Sequence, residues 1–326
     1  ALTAILIPLT MRVFSHRLLD HPNHRSSHSV PRSRAGGLAF GLAWLLSSAL
    51  ALGLDHFSVS QNSRVWLLGS QESGSSIGAI WFLLGAAIIW CNGLLDDFFQ
   101  VPARYRILLQ ALGVAAGILG PDTFRENLHP VLLVLVFLGL VYFINVFNFM
   151  DGTDGLAASE GIFLLLAAFL FGYAGLSMQL LAVGLAVFLF WNLPRAKLFM
   201  GDAGSNLIGF VVGYVLLEIF LERPALAFLL PVFFTTDTTL TLLVRLFRKQ
   251  PFYLAHRQHA YQHIARRSGH RPLLALLWVG NLIVLMLALA GWTLPAAWMV
   301  ALVVSVHLIL AFLLYRIGAG RPAPEI

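Results

Sequence analysis

Apolar runs of about 20 residues recur along this chain, and the short stretches between them hold almost all of its charge. A hydrocarbon core about 30 Å thick takes about 20 residues of helix to cross. Inside it every backbone N–H and C=O must be paired within the protein, which a helix achieves by itself. The pattern therefore predicts an all-α, polytopic bundle of transmembrane helices. Eleven spans are expected, near 1–14, 36–54, 77–95, 105–120, 129–148, 157–174, 177–193, 205–221, 225–244, 272–291 and 295–315. The first is short and opens on Ala1, so numbering is expected to start inside that helix. It has no basic leader region or cleavage site and reads as a span, not a secretory signal. The expected organisation is one integral-membrane domain over 1–326, with a basic loop at 245–271 and a tail at 316–326.

Composition closes off the alternatives. The chain is 59% hydrophobic and only 11% charged, with mean hydropathy +0.82. Soluble domains carry about 25% charged residues, so a soluble enzyme, a disordered chain and a nucleic-acid module are excluded. The pI near 9.9 does not restore a polyanion partner, because net charge is +6 and the basic residues lie between apolar runs. Cys91 is the single cysteine, which rules out an internal disulfide and a cysteine metal site. Every Lys and Arg except Arg64, Arg125 and Arg223 falls in alternate loops. By the positive-inside rule those loops face the cytoplasm. The N-terminus is then outside and the C-terminus inside.

The polar motifs fall on that same cytoplasmic side. Asp96-Asp97 closes the third span, where acidic groups oppose the helix dipole. Paired carboxylates there suit a divalent cation, a cationic partner or a shared proton; the plainer reading is a helix ending at water. After the fifth span come Asn145, Asn148, Asp151-Gly152 and Asp154-Gly155, with the two amides three residues apart on one helix face. Gly201-Asp202-Ala203-Gly204-Ser205 leads into the eighth span, where glycines permit close approach and a helix N-terminus offers N–H groups to phosphate. Asp202 is an oxygen ligand suited to Mg²⁺. His256, Arg257, His259 and His263 lie in the basic loop. A zinc site there is disfavoured by the surrounding positive charge and the lack of an HExxH pattern, so an anion site is expected. Arg32 and Arg34 end the first loop before Gly36-Gly37. Asp237 lies near the cytoplasmic half of the ninth span, while Glu218 and His307 read as satisfied polar groups of the bundle.

Together these motifs resemble the polyprenyl-phosphate N-acetylhexosamine-1-phosphate transferase family. The likeness rests on Pro22-Asn23-x-Arg25-Ser26-x-His28 and Gly36-Gly37, Asp96-Asp97, Asn145-x-x-Asn148-x-x-Asp151-Gly152, Gly201-Asp202-x-Gly204-Ser205, and the loop Ala255–Gln262. That loop lacks the consecutive histidines of the peptidoglycan branch. It looks more like the branch that starts O-antigen chains with N-acetylfucosamine or N-acetylquinovosamine.

The resemblance implies transfer of a sugar 1-phosphate from a UDP-sugar to undecaprenyl phosphate in the bacterial inner membrane, with Mg²⁺ (or Mn²⁺ in its place) as cofactor. It makes Asp202 and Asn148 the metal ligands. Asp151 and Phe199 would contact uracil, and His256, Arg257 and His259 would bind the diphosphate. Asp96 and Asp97 would position the lipid phosphate or take its proton. Arg32, Arg34, Asn145, Gly201, Ser205 and Asp237 are expected among the substrate contacts. Membrane lipids and a homodimer are the expected partners, and nucleic acid is not. The competing class is a secondary transporter with Asp and His ion sites. Such sites lie near the bilayer midplane, often within an inverted repeat, whereas these carboxylates cluster at helix ends and no repeat is visible.

Overall fold

The computed structural model describes residues 1–14, 17–20, 31–57, 76–119, 128–251 and 256–322. Arg25, Arg64, Arg125, Ala255 and the first-loop residues 22–29 lie outside them. The helices follow the apolar runs: α1 Leu2–Phe14, α2 Gly36–Phe57, α3 Ser76–Phe99, α4 Ala103–Leu119, α5 Pro130–Met150, α6 Leu156–Leu170 and α7 Leu176–Asn192. They continue as α8 Gly201–Glu222, α9 Pro224–Leu229, α10 Val232–Phe247, α11 Ala260–Ser268, α12 His270–Gly291 and α13 Ala296–Ile317. Each expected span coincides with a helix or, for the ninth, with a pair. Among the described residues, six helices are long and apolar enough to cross a membrane: α2, α3, α5, α8, α12 and α13. The protein is a multi-pass membrane protein.

Helix α8 is the axis of the bundle. Ala203 through Ile219 are all buried, with α2, α3, α5, α6 and α9 packed around them. Small residues let the backbones close up, the usual device where lipid removes the hydrophobic drive between helices. A Cβ on Gly93 of α3 would stand 2.4 Å from the Ala203 Cα and N of α8, so only glycine allows that crossing. Side-chain hydrogen bonds tie other pairs. Trp44 of α2 donates to the Ser177 carbonyl of α7 at 2.7 Å, and Asn281 of α12 donates to Glu160 of α6 at 2.8 Å. The outer faces of α12 and α13 carry exposed Val279, Ile283, Met286, Trp298, Leu308 and Phe312, a surface made for acyl chains.

Four details differ from the expected pattern. The ninth span breaks at Leu230–Pro231, because a proline supplies no N–H and its ring clashes with the carbonyl four residues back. Helix α8 begins at Gly201, four residues early, which puts Asp202 inside its first turn. The loop 245–271 contains a helix, α11. The chain is also not wholly α: β1 (Leu19–Asp20) pairs antiparallel with β2 (Arg32–Ser33), and Ser33 bridges onward to Leu198. Those strands satisfy backbone groups where the first loop returns to α2.

Candidate active site

The ends of α2, α3, α5 and α8 gather at one end of the bundle with the start of α4. Asp97, in the last turn of α3, receives the Asp202 N–H on Oδ1 at 2.9 Å and the Ala203 N–H on Oδ2 at 3.0 Å. An acid placed on a helix N-terminus is favoured by unpaired N–H groups and by the dipole. Here the cap comes from a neighbouring helix. Two of the N–H groups expected to be open to phosphate are thus already filled. Gly201 makes the approach possible: its φ is +70, and a Cβ would lie 2.6 Å from Asp97 Oδ2. Gly36 and Gly37 donate to the Phe199 and Met200 carbonyls at 3.1 and 2.8 Å, seating the start of α2 on the same turn.

Beside this cap, Arg106 of α4 reaches two carboxylates. Its Nη1 lies 2.6 Å from Asp96 Oδ2 and 3.2 Å from Asp202 Oδ2. Arg106 figures in the sequence only as a topogenic charge. Its ten-residue separation from Asp96, across the α3–α4 turn at Pro102, is the signal that could have joined them. Arg34 pairs with Asp20 at 2.6 Å through the small sheet, and Arg32 sits half-buried on β2.

The turn after α5 supplies the next layer. Asn145 donates to Gln110 Oε1 of α4 at 2.8 Å, a contact that ties helices together and turns its nitrogen away from the turn. Asn148 donates to Ser205 Oγ at 3.2 Å, which leaves its amide oxygen as the atom it has to offer a cation. Asp151 is half-buried beside the acidic group. Burial pushes its carboxyl well above the usual carboxylate range, and the charges of Asp202 and Asp97 push the same way. Asp154 does a different job: it accepts the Arg195 and Ala196 N–H groups at 2.9 and 3.2 Å and lies 3.1 Å from His270 Nδ1. Burial alone would raise its carboxyl, but His270 and those N–H groups outweigh it and hold the group below the usual range.

The histidine loop closes over this turn. His259 stacks on Phe149 with ring centroids 6.1 Å apart, and on His256 at 4.9 Å. Tyr261 donates to the Phe149 carbonyl at 2.9 Å. Burial, then His259 and Arg245, push His256 down to about 3, with Asp237 opposing. His256 is therefore a neutral ring near pH 7; its Nδ1 accepts the Gln258 N–H at 3.4 Å, which leaves the proton on Nε2. Arg257 is the fixed cation of the segment. His263 faces the Arg321 carbonyl at 3.2 Å, and among the described residues no three His, Cys, Asp or Glu groups are arranged to hold a metal.

Asp237 is 2% exposed, with its oxygens taken up by the Ala260 and Tyr261 N–H groups and Thr241. His307 is satisfied by the Val303 carbonyl at 2.9 Å. Glu218 departs from expectation, since neither carboxylate oxygen has a hydrogen-bond partner among the described residues.

The donors at the α3–α8 junction suit a hard cation. Asp96, Asp97, Asp151 and Asp202 share one electrostatic environment that Arg106 and Arg34 offset only in part. All offer oxygen and none is soft. A cation here would take one or two protein ligands, with phosphate and water filling the rest, which is how Mg²⁺ is ordinarily held.

Comparison with known proteins finds similarity along the stretch that carries these residues. Residues 79–220, which contain Asp96, Asp97, Asn148, Asp151 and Asp202, match the glycosyl transferase family 4 pattern. The chain is 27% identical over 283 residues to a probable undecaprenyl-phosphate N-acetylglucosaminyl 1-phosphate transferase of Bacillus subtilis, covering 80% of this chain and 73% of that one. It is 34% identical over 132 residues to an undecaprenyl-phosphate alpha-N-acetylglucosaminyl 1-phosphate transferase of Thermotoga maritima, covering 39% and 42%. It is 30% identical over 230 residues to a decaprenyl-phosphate N-acetylglucosaminephosphotransferase of Mycobacterium leprae, covering 61% and 54%. The chain thus spans about half the length of the last two. The motif residues assembled at one end of the helical bundle thus lie within the stretch that is similar to glycosyl transferase family 4.

Proposed function

We propose that this protein transfers a sugar 1-phosphate from a UDP-linked N-acetylated amino sugar to undecaprenyl phosphate. The products are undecaprenyl-diphosphate-sugar and UMP. In the proposed setting, the cytoplasmic face of the bacterial inner membrane, the step initiates O-antigen or a related surface polysaccharide. The observation that carries the reading is the junction of Asp96, Asp97, Arg106 and Asp202, an ionic site at the end of a membrane bundle. The relatives' names supply the substrate class.

An oxygen of the lipid phosphate attacks the sugar-bearing β-phosphorus. The bond from that phosphorus to the bridging oxygen breaks, and UMP leaves with the electron pair. Such transfers need little covalent help and depend on charge neutralisation and alignment. Arg106 and Arg257 supply fixed positive charge, and Asp97 holds the first turn of α8 in place. Neutral His256 offers an Nε2–H to a phosphate oxygen. Asp202 and the Asn148 oxygen would hold Mg²⁺ or Mn²⁺, which supplies positive charge for the diphosphate oxygens. The lipid phosphate has a second pKa of about 6 and is already a dianion near pH 7, so no strong base is required.

An apolar cavity of about 680 Å³ lies between α5, α8, α9, α10 and α13, lined by Leu135, Tyr142, Gly213, Phe228 and Thr239 among others. Gly213 is roughly 16 Å along α8 from Asp202 at 1.5 Å per residue. That is a suitable reach for the hydrocarbon of an acceptor whose phosphate lies at the site.

Two measurements test the reading. Purified protein in detergent, given undecaprenyl phosphate and a panel of UDP-sugars labelled in the sugar, should move label into lipid with one UMP released per transfer. No labelled lipid with any UDP-N-acetylhexosamine would refute the assignment. For orientation, a cysteine at exposed Ser268, with Cys91 replaced, should react with an impermeant thiol reagent only from the cytoplasmic side. Labelling from outside would invert the topology and remove access to cytoplasmic UDP-sugar.

A further inference from the structure

We propose that Asp237 is a positioning residue that docks the histidine segment 256–259 onto the Asn148–Asp151 turn. Asp237 lies midway along α10, 2% exposed, where a carboxylate is costly unless its oxygens are fully hydrogen-bonded. Oδ1 accepts the Ala260 N–H at 2.9 Å and the Thr241 hydroxyl at 3.1 Å, and Oδ2 accepts the Tyr261 N–H at 2.9 Å. These are the first two residues of α11, so a carboxylate from another helix fills the donors that a helix start leaves open.

The consequence passes straight to the site. From that anchored start, Tyr261 reaches the Phe149 carbonyl and His259 lies on the Phe149 ring. His259 Nδ1 stands 3.5 Å from Asp237 Oδ1, too long for a good hydrogen bond. The segment also carries its own capping box, in which Gln262 takes the His259 N–H at 3.3 Å and the His259 side chain takes the Gln262 N–H. Asp237 is thus a buried hold on where His256, Arg257 and His259 stand, made from outside the segment itself. Asp97 acts on α8 in the same manner, so each of the two helices that open onto the site is pinned by an aspartate from its neighbour.

The inference deepens the transferase reading, and two readouts separate their failures. Asp237→Asn keeps size but turns an amide NH₂ toward backbone donors; Asp237→Ala leaves those donors unpaired; Asp237→Glu keeps both oxygens. Full-length variants in detergent would be followed by hydrogen exchange and by kinetics with UDP-N-acetylglucosamine and undecaprenyl phosphate. In Asn and Ala variants, exchange over 260–263 should quicken about tenfold or more while α3, α5 and α8 keep their protection. The donor KM should rise about tenfold or more, with kcat falling less, and Glu should restore protection and part of the KM. A misplacement of an ångström can cost about 10² in rate, so the split between KM and kcat matters more than the total. Unchanged exchange over 260–263 overturns the proposal. So does loss of protection throughout the bundle, or a loss confined to kcat. If the wild type transfers no sugar, the exchange comparison decides the docking role alone and only the transferase reading falls.

Discussion

Asp202→Asn is expected to reduce turnover by about 10³-fold or more, a loss that excess Mg²⁺ or Mn²⁺ restores little. Removing one preorganised electrostatic group from a site of developing charge typically costs about 10²–10³, and Asp202 serves two partners at once. It is the acidic residue in the first turn of α8 and the second carboxylate on Arg106. Asparagine preserves shape and leaves the backbone N–H on Asp97, so the helix start should survive. What disappears is the charge shared between Arg106 and the proposed cation. The measurement is kcat for labelled sugar-phosphate transfer across a metal titration, with thermal unfolding as the control for folding. Activity within a few-fold of wild type would remove Asp202 from the metal site.

The second large effect concerns the aspartate pair, where structure separates two residues that sequence leaves equivalent. Asp97 has both oxygens committed to the N–H groups of Asp202 and Ala203, and Asp96 is held by Arg106. Asp97→Asn must turn an NH₂ toward one of those N–H groups, shifting the first turn of α8. A shift near 1 Å costs about 10², and a general base contributes about 10²–10⁴, so magnitude alone does not discriminate. The pH profile does. A missing base is compensated as the substrate ionises unaided, whereas a misplaced helix is not. Between about pH 7 and 9 the lipid phosphate is mostly dianionic, so both Asp97→Asn and Asp96→Asn should show a flat deficit. A deficit that closes steadily with rising pH would make a carboxylate the base and end the positioning account.

Much of this architecture was legible because its cause is local. Spans follow from apolar length, and the motif residues stand out because polar groups at the margin of a bilayer are costly. The features that escaped are pairings between distant segments. The short spacing of Arg106 from Asp96 is a faint cue, but nothing near Arg106 indicates that it also reaches Asp202, 96 residues on. Asp237 reads as a substrate contact, and its bond to a helix start 23 residues later is not visible in the sequence. The early start of α8 escaped for the same reason: a Gly-rich turn is a weak helix former, and it becomes helical here because Asp97 arrives from α3 to cap it. Pro231 was visible, but an apolar run on both sides of it concealed the break between α9 and α10.

One contact has a bearing on how the enzyme is made. Just past α13, Gly320 donates its N–H to the Gln258 carbonyl at 2.8 Å, and the Arg321 carbonyl meets His263. The segment that carries His256, Arg257 and His259 is therefore held by residues synthesised some sixty positions later. Every residue of the carboxylate junction of α3 and α8 precedes this latch in the chain. A chain that stops after α12 carries the acidic residues of the site but lacks the residues that clasp its basic segment. Any change that disturbs residues 318–321 therefore acts on the histidine segment.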